Sequence, residues 1–204
     1  MLGMETAPPG TYRRSAGSPR GQARREALLA AVADDLAANG LADFSLRRAA
    51  RAAGTTHKVL LYHFAGAEEL LAEAMRRLRA RRIDNVLATA PAGSLAERVA
   101  AFWPILADDA TGLRVIDQAI GLAMYDPNRY GHLAREASDM YRGPLEALCP
   151  PSWSAQRRSE VAELIMAAMR GFLLEWRTAG DAHRIDAARQ ALTRALEREE
   201  AADE

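Results

Sequence analysis

Apolar residues recur at helical spacing along most of the chain, and no stretch alternates apolar and polar residues as a half-buried strand would. In the first predicted helix, Leu28, Val32 and Leu36 follow one another at intervals of four, so they lie on one face. Pro19 suits the start of this helix and Gly40 suits its end. The pattern therefore predicts an all-α fold.

Two short helices are predicted after the first one. Ser45 can cap a helix that runs to Ala53, where Gly54 stops it, and Thr56 can cap another that runs to about Phe64. Six further helices are expected at about 67–88, 94–108, 111–125, 129–148, 154–179 and 182–200. Pro144 is expected to bend or interrupt the fourth of these. The chain is thus predicted to have about nine helices.

The same pattern suggests three parts. Residues 1–20 are rich in proline, glycine and arginine, and they are expected to form a flexible basic arm. Residues 21–66 form a helix-turn-helix domain, which the start of the next helix completes to about residue 82. Residues 83–204 are predicted to form a helical domain for ligand binding and dimerisation.

Charge is distributed unevenly along a chain that is neutral as a whole. The 204 residues contain 27 basic and 27 acidic side chains, and 49% are hydrophobic, as in an ordinary globular protein. Residues 1–66 contain nine Lys and Arg against five Asp and Glu, whereas residues 67–204 contain 18 against 22. A contact with a polyanion such as DNA is therefore expected near the N-terminus.

Several kinds of chemistry find no support in the sequence. Cys149 is the only cysteine, no Cys/His grouping has metal-ligand spacing, and no nucleophile or phosphate-binding loop stands in a confirming context. No apolar run is long enough for a signal peptide or a membrane span. We therefore expect a cytoplasmic protein that is not an enzyme and that uses no metal, cofactor or membrane.

The residues from Ser45 to Phe64, SLRRAARAAGTTHKVLLYHF, are the most informative part of the chain. Two short helices joined by a glycine turn are typical of the helix-turn-helix, whose second helix enters the DNA major groove. The string resembles the DNA-binding domain of the TetR family of transcriptional regulators over about residues 22–82. The resemblance is carried by Arg47, Ala50, Ala53, Gly54, Thr56, Leu60, His63, Phe64 and the Glu68-Glu69-Leu70-Leu71 start of the next helix.

Eight residues are predicted to contact double-stranded DNA: Ser45, Arg47, Thr56, His57, Lys58, Val59, Tyr62 and His63. His57 and Lys58 lie in the first turn of the second short helix, where side chains reach base edges. Val59 can touch a thymine methyl group. The free backbone N–H groups after Thr56 suit a phosphate. The resemblance implies that Arg47 also reaches the groove.

Phosphate contacts are expected from Ser45, Tyr62 and His63, which can donate hydrogen bonds to phosphate oxygens. The sequence departs from the family pattern at Leu61 and Ala67, where the family usually has tyrosine and lysine. Two phosphate contacts are therefore expected to be missing. Taken singly, each histidine, tyrosine or arginine of the motif is also compatible with an ordinary surface or packing role.

Two apolar stripes near the C-terminus are candidates for a homodimer interface. They comprise Val161, Leu164, Ile165, Ala168 and Phe172 on one helix and Ile185, Leu192 and Leu196 on the next. A protein that binds a palindromic DNA site needs two copies, and two helices from each copy can pack as a four-helix bundle. The alternative is that these stripes face the core of the chain itself.

Methionine and aromatic residues of the middle helices are candidates for a ligand pocket. They are Phe102, Trp103, Met124, Tyr125, Met140, Tyr141, Met169 and Trp176. Polar groups that could orient a ligand are Gln118, Asp117, His132, Arg135 and Glu175. The alternative is plain packing, since a domain of this size needs many buried side chains.

These features favour a ligand-responsive transcriptional regulator. In this hypothesis a homodimeric repressor occupies a palindromic operator and is released by a small apolar or amphipathic effector, because the effector binds one conformation better than another. The alternative is a helical adaptor that binds another protein through its C-terminal helices and does not bind DNA.

Overall fold

The structure is a computed structural model that describes residues 18–108 and 114–202. Within these residues every regular element is an α-helix, which confirms the predicted all-α fold. The helices are α1 (Pro19–Asn39), α2 (Leu46–Ala52), α3 (His57–His63), α4 (Ala67–Thr89), α5 (Leu95–Ala100), α6 (Trp103–Ala107), α7 (Arg114–Tyr125), α8 (Pro127–Glu146), α9 (Ala155–Thr178) and α10 (Ala182–Ala201). Most of the predicted basic arm, residues 1–17, lies outside the described residues, as do residues 111–113.

The structure differs from the predicted helices at two prolines. The segment expected as one helix over 94–108 forms α5 and α6 instead. Pro104 has no N–H to donate to the carbonyl of Ala100, and its ring crowds that carbonyl, so the first helix ends before it. Pro144 does not interrupt α8, which continues to Glu146.

Local capping interactions define the first three helices. Ser18, Ser45 and Thr56 each accept a hydrogen bond from the backbone N–H three residues later, over 3.1, 3.3 and 3.4 Å. Gly40 and Gly54 follow α1 and α2 with φ values of 69° and 58°, in the left-handed region that favours glycine. The sequence signals for these helix ends are therefore confirmed.

The chain divides into two compact units, with the division after Arg77. The first unit contains α1, α2, α3 and the beginning of α4, and α2 packs against both α1 and α3. Leu28, Leu36, Leu60 and Phe64 are all buried in it. The predicted apolar face of the first helix thus forms core, as do two residues of α3 that lie four apart.

The second unit comprises the rest of α4 and α5 to α10. Its helices pack in the order α7, α8, α9, α10 and α5, and α6 packs against α9. The core includes Leu95, Trp153, Ile165 and Leu196. Among the described helices, none combines the length and apolarity that a membrane span requires.

Candidate DNA-binding surface and ligand cavity

The predicted DNA-contacting residues lie on α2 and α3 or at their starts. Ser45, Arg47, Thr56, His57 and Lys58 are exposed, and Val59, Tyr62 and His63 are partly buried. The N-caps place Ser45 and Thr56 at the starts of the two helices. The structure therefore leaves the polar side of the helix-turn-helix open to solvent.

Burial and one arginine hold α3 in position. Leu60 is buried on the inner side of α3, and Phe64 is buried directly after its end. The guanidinium of Arg25 lies 4.5 Å from the centre of the Phe64 ring. Its Nε donates to the backbone carbonyl of His63 at 3.2 Å, and its Nη2 pairs with Glu73. Arg25 thereby joins α1 to the end of α3 and to α4.

Arg48 has a structural role that the sequence did not reveal. Its Nε donates to Oδ2 of Asp35 at 2.8 Å, and its terminal nitrogens donate to the carbonyls of Gly40 at 2.8 Å and Ala42 at 2.6 Å. These contacts fasten α2 to the end of α1 and to the loop between them. Sequence spacing could not show them, because they depend on where that loop folds back.

Three other cations of the helix-turn-helix remain available for a ligand. Arg47, Arg51 and Lys58 are exposed. The described part of the chain offers no carboxylate within ion-pair distance of them. Among the described residues, these three charges therefore have no carboxylate partner, which suits a surface that meets phosphate groups.

His63 lies at the end of α3 in a partly buried position. Burial lowers the pKa of its imidazole, and the charges of Arg25 and Arg24 act in the same direction. Its Nδ1 is buried and has no hydrogen-bond partner among the described residues. The ring of Tyr62 stands edge-on to it at a centroid distance of 4.9 Å. The free protein therefore favours the neutral form of His63.

The second unit contains a cavity of about 90 Å³. Its apolar wall includes Phe102 and Met169, and its polar wall consists of Arg82, Asp117, Tyr141 and Arg170. Of the predicted pocket residues, the structure thus brings together Phe102, Tyr141 and Met169. Of the predicted polar candidates, Asp117 is among the lining residues, whereas Gln118, His132, Arg135 and Glu175 are not. Arg82 and Arg170 were missed, because helical spacing does not show which charged residues of a helix face the interior.

The other predicted pocket residues lie elsewhere. Met124 and Tyr125, at the end of α7, are 81% and 89% exposed. Trp103 is buried in the core, where its ring meets the ring of Trp176 edge-on at 6.1 Å. Met140 is partly buried but does not line the cavity. The plain packing alternative therefore describes Trp103 and Trp176.

The polar groups of the cavity differ in their partners. Oδ2 of Asp117 lies 2.6 Å from Nε of Arg177. Burial raises the pKa of Asp117, and the charges of Arg177 and Arg82 oppose that shift. Burial lowers the pKa of Arg170, whose Nη2 donates to the hydroxyl of Ser138 at 3.3 Å. The wall of the cavity thus contains two arginines and one carboxylate, and that carboxylate is already close to Arg177.

The predicted dimer stripes lie partly in the core of the chain. The side chains of Val161, Ile165, Ile185 and Leu196 are buried there, so they are not available on the surface. Phe172 and Leu192 are partly buried against the same core. Leu164 is exposed and Ala168 is partly exposed. For the four buried residues, the structure supports the alternative that the stripes face the protein's own interior.

A different face of α9 is apolar and exposed. It contains Leu164, Ala167, Gly171 and Leu174, which are separated by three or four residues and share one side of the helix. Leu164 and Leu174 are 51% and 62% exposed. Beside this face a groove of about 460 Å³ runs between α9 and α10, and Gly171 and Ala188 are among its lining residues. The spacing of this face is that of a helix-packing seam.

No metal centre is visible in the part of the chain that the structure describes, where no three His, Cys, Asp or Glu side chains come together. Cys149 is buried, and burial raises the pKa of its thiol. A thiol that is buried and protonated is a poor nucleophile. Cys149 therefore behaves as a small apolar residue.

Comparisons with known proteins identify the fold. No protein-family model matches the chain, and no curated protein matches it. A solved structure of SCO7518 from Streptomyces coelicolor A3(2), a proposed transcriptional regulator, is 29% identical, with a TM-score of 0.65 over 84% of this chain and 96% of the other.

Two further solved structures are more distant in sequence. A proposed TetR-family transcriptional regulator from Rhodococcus sp. is 17% identical, with a TM-score of 0.62 over 86% of this chain and 97% of that one. The multidrug binding protein EbrR, solved with imidazole, is 22% identical, with a TM-score of 0.63 over 93% of this chain and 96% of that one. Together with the helix-turn-helix formed by α2 and α3, these similarities show that the chain has the fold of the TetR-family transcriptional regulators.

Proposed function

We propose that this protein is a ligand-responsive DNA-binding transcriptional regulator. In this proposal it is a repressor that binds a palindromic operator as a homodimer and is released by a small effector. The supporting observation is the exposed polar side of α2 and α3, on which Arg47, His57 and Lys58 have open access to solvent. The neighbouring structures support the same class of function, since they are described as transcriptional regulators.

The anchoring of the helix-turn-helix supports a recognition role. Arg25 and Arg48 are held in contacts with α4, the end of α3 and the loop after α1, so they stabilise the geometry of α2 and α3. Arg47 and Lys58 carry the same charge without such partners among the described residues. We infer that the first pair positions the motif and that the second pair meets DNA, with Lys58 donating to base edges.

The dimer in this proposal uses the exposed face of α9 together with α10. Leu164, Gly171 and Leu174 supply apolar surface, and Gly171 allows the close approach of a second helix. A twofold dimer would bring this face against the same face of its partner. It would present two recognition helices to half-sites about 34 to 36 Å apart.

Helix α4 offers a physical route for the ligand response. Its first turns carry Glu73, which pairs with Arg25, and its later turns carry Arg82, which lines the cavity. A ligand that draws Arg82 into one position would bias a helix whose other end holds the helix-turn-helix. The effector changes DNA affinity only as far as it prefers one arrangement over the other.

DNA binding by the full chain tests this proposal. We would measure fluorescence anisotropy with the DNA upstream of the protein's own gene, with a shuffled fragment of equal length as control, across a salt series. We expect tighter binding to the native fragment and a steep loss of affinity with salt, because each phosphate contact releases counterions. Absence of binding at every salt concentration would contradict the proposal and favour the adaptor alternative.

A further inference from the structure

The cavity of the second unit sets four polar side chains in a wall that is otherwise apolar. Arg82, Asp117, Tyr141 and Arg170 line it beside apolar residues such as Phe102. A wholly apolar ligand would leave these groups without polar partners, and burying unpartnered polar groups costs free energy. The polar set therefore indicates which chemical class of ligand the cavity accepts.

Positive charge dominates this polar set. Asp117 is the carboxylate of the wall, and its Oδ2 already lies 2.6 Å from Nε of Arg177. The wall offers no second carboxylate for Arg82 and Arg170, and the hydrogen bond from Arg170 to Ser138 goes to a neutral hydroxyl. A cationic ligand would thus have to compete with Arg177 for Asp117, whereas an anion would meet two arginines.

A further acid that acts on Arg170, Glu163, does not line the cavity. Glu163 acts electrostatically on Arg170, but its exposed carboxylate accepts a hydrogen bond from Nε of Arg142 at 3.0 Å. Burial is the main cause that lowers the pKa of Arg170, and the charge of Arg82 acts in the same direction, opposite to that of Glu163. Two guanidinium groups are therefore close enough to repel each other, and an anion between them would remove that repulsion.

Two hydrogen-bond donors at the cavity have no acceptor among the residues that the structure describes. Arg82 is only 8% exposed, and its Nε has no hydrogen-bond partner among the described residues. The buried hydroxyl of Tyr141 has none either within the described part of the chain. The guanidinium carbon of Arg82 lies 5.7 Å from the centre of the Tyr141 ring, so both donors belong to one corner of the cavity.

The cavity volume limits the size of the ligand. A cavity that holds one water molecule has a volume of about 10–15 Å³. The volume of about 90 Å³ therefore accommodates about six to nine non-hydrogen atoms. This is the size of a short-chain or single-ring acid.

We propose that the cavity binds a small amphipathic carboxylate, whose head accepts hydrogen bonds from Arg82, Arg170 and Tyr141 while its apolar body packs against the wall. The planar fork of an arginine matches the two oxygens of a carboxylate, and charge-assisted hydrogen bonds are the stronger kind. This inference rests on the proposed function, since it names the class of effector that would release the DNA.

Calorimetric titration of the full chain with hexanoate, hexan-1-ol and hexylammonium tests the proposal. The three probes share one apolar chain and differ in the charge of the head. We expect hexanoate to bind at least about tenfold more tightly than the other two, because hydrogen bonds to charged groups contribute more than neutral ones.

Substitutions at the polar corner test which residues hold the head. Arg82→Gln and Tyr141→Phe should each weaken hexanoate binding, by about tenfold for Arg82→Gln, and Arg82→Gln should weaken hexan-1-ol binding less, because the alcohol forms no charge-assisted pair with the arginine. Arg81→Gln is the matched control, because Arg81 is exposed on the same helix and does not line the cavity. Circular dichroism checks that the Arg82→Gln variant folds. Tyr141→Phe removes only a hydroxyl group, so this variant still tests the proposal if Arg82→Gln does not fold.

The outcomes separate this proposal from the proposed function. Equal or tighter binding of hexan-1-ol or hexylammonium, no binding of hexanoate, or hexanoate binding that neither substitution weakens would overturn the carboxylate site. Because the titration contains no DNA, hexanoate binding by a chain that binds no DNA would support the site and overturn the regulator. DNA binding by a chain that does not bind hexanoate would support the regulator and overturn the carboxylate site.

Discussion

Arg48 and Lys58 show how one motif uses the same charge in two ways. Arg48 directs its donors inward to Asp35 and to the carbonyls of Gly40 and Ala42. Lys58 lies exposed in the first turn of α3. The sequence shows that both residues are basic. Only their surroundings in the structure show that Arg48 positions α2 and that Lys58 is the candidate for base recognition.

Lys58→Ala should lower discrimination between operator sequences by about 1–3 kcal/mol, because a base contact would be lost. His63→Ala should weaken binding to all sequences alike, because a phosphate contact carries no sequence information. Anisotropy titrations with the native fragment and with base-substituted fragments measure both effects. Equal effects of the two substitutions on discrimination would contradict this division of roles.

The lowered pKa of His63 predicts that DNA affinity depends on pH. Burial and the charges of Arg25 and Arg24 disfavour the imidazolium in the free protein, whereas a nearby phosphate would favour it. The complex would then bind protons more tightly than the free protein, so affinity should rise as pH falls from about 8 to about 6.

His63→Gln should flatten this pH dependence, and His57→Gln is the control for the other histidine of α3. The measurement is the dissociation constant for the native DNA fragment at a series of pH values and fixed ionic strength. A slope that His63→Gln leaves unchanged would show that His63 is not the titrating group.

At the scale of elements, short-range chemistry determines where the helices of the first unit begin and end. Gly54 lies just after α2 with a φ of 58°, and Thr56 caps α3 two residues later. The same kind of reasoning missed the division between α5 and α6, because the apolar spacing continues through Pro104 while the backbone hydrogen bonding cannot.

Gly54→Ala should lower the free energy of unfolding by about 1–2 kcal/mol, because an L-residue is strained at this positive φ. A Cβ at Gly54 meets no atom within 4 Å, so no steric clash adds to the backbone strain. Gly66→Ala is the matched control, since its Cβ also meets open space and its φ is not positive. Urea unfolding measures both variants, and an equal effect of the two would contradict the strain argument.

At the scale of the whole molecule, α9 has two apolar faces with different uses. Val161 and Ile165 pack into the core of the second unit, whereas Leu164 and Leu174 remain exposed. The predicted stripe joined members of both faces, because it combined Leu164 with Val161 and Ile165. The exposed face with Leu174 could be recognised only after the structure had shown which side of the helix is already covered.

Leu174→Glu should shift the protein from dimer to monomer, because two carboxylates would be buried near the twofold axis of the proposed interface. Met124→Glu is the control, since Met124 is also an exposed apolar residue but lies on α7 and not on that face. Sedimentation velocity measures the oligomeric state of both. A Leu174→Glu variant that remains dimeric, or a wild-type chain that is monomeric, would contradict the proposed interface.

The sequence by itself determined the all-α fold, most helix ends and the helix-turn-helix, because helical periodicity, caps and glycine turns act over a few residues. Only the tertiary structure decided that Arg48 anchors α2, that Arg82 and Arg170 line the cavity, and that Met124 lies on the surface. These properties depend on residues that are distant in the chain. The residue type limits what a side chain can do, and its neighbours in space determine which of these roles it has.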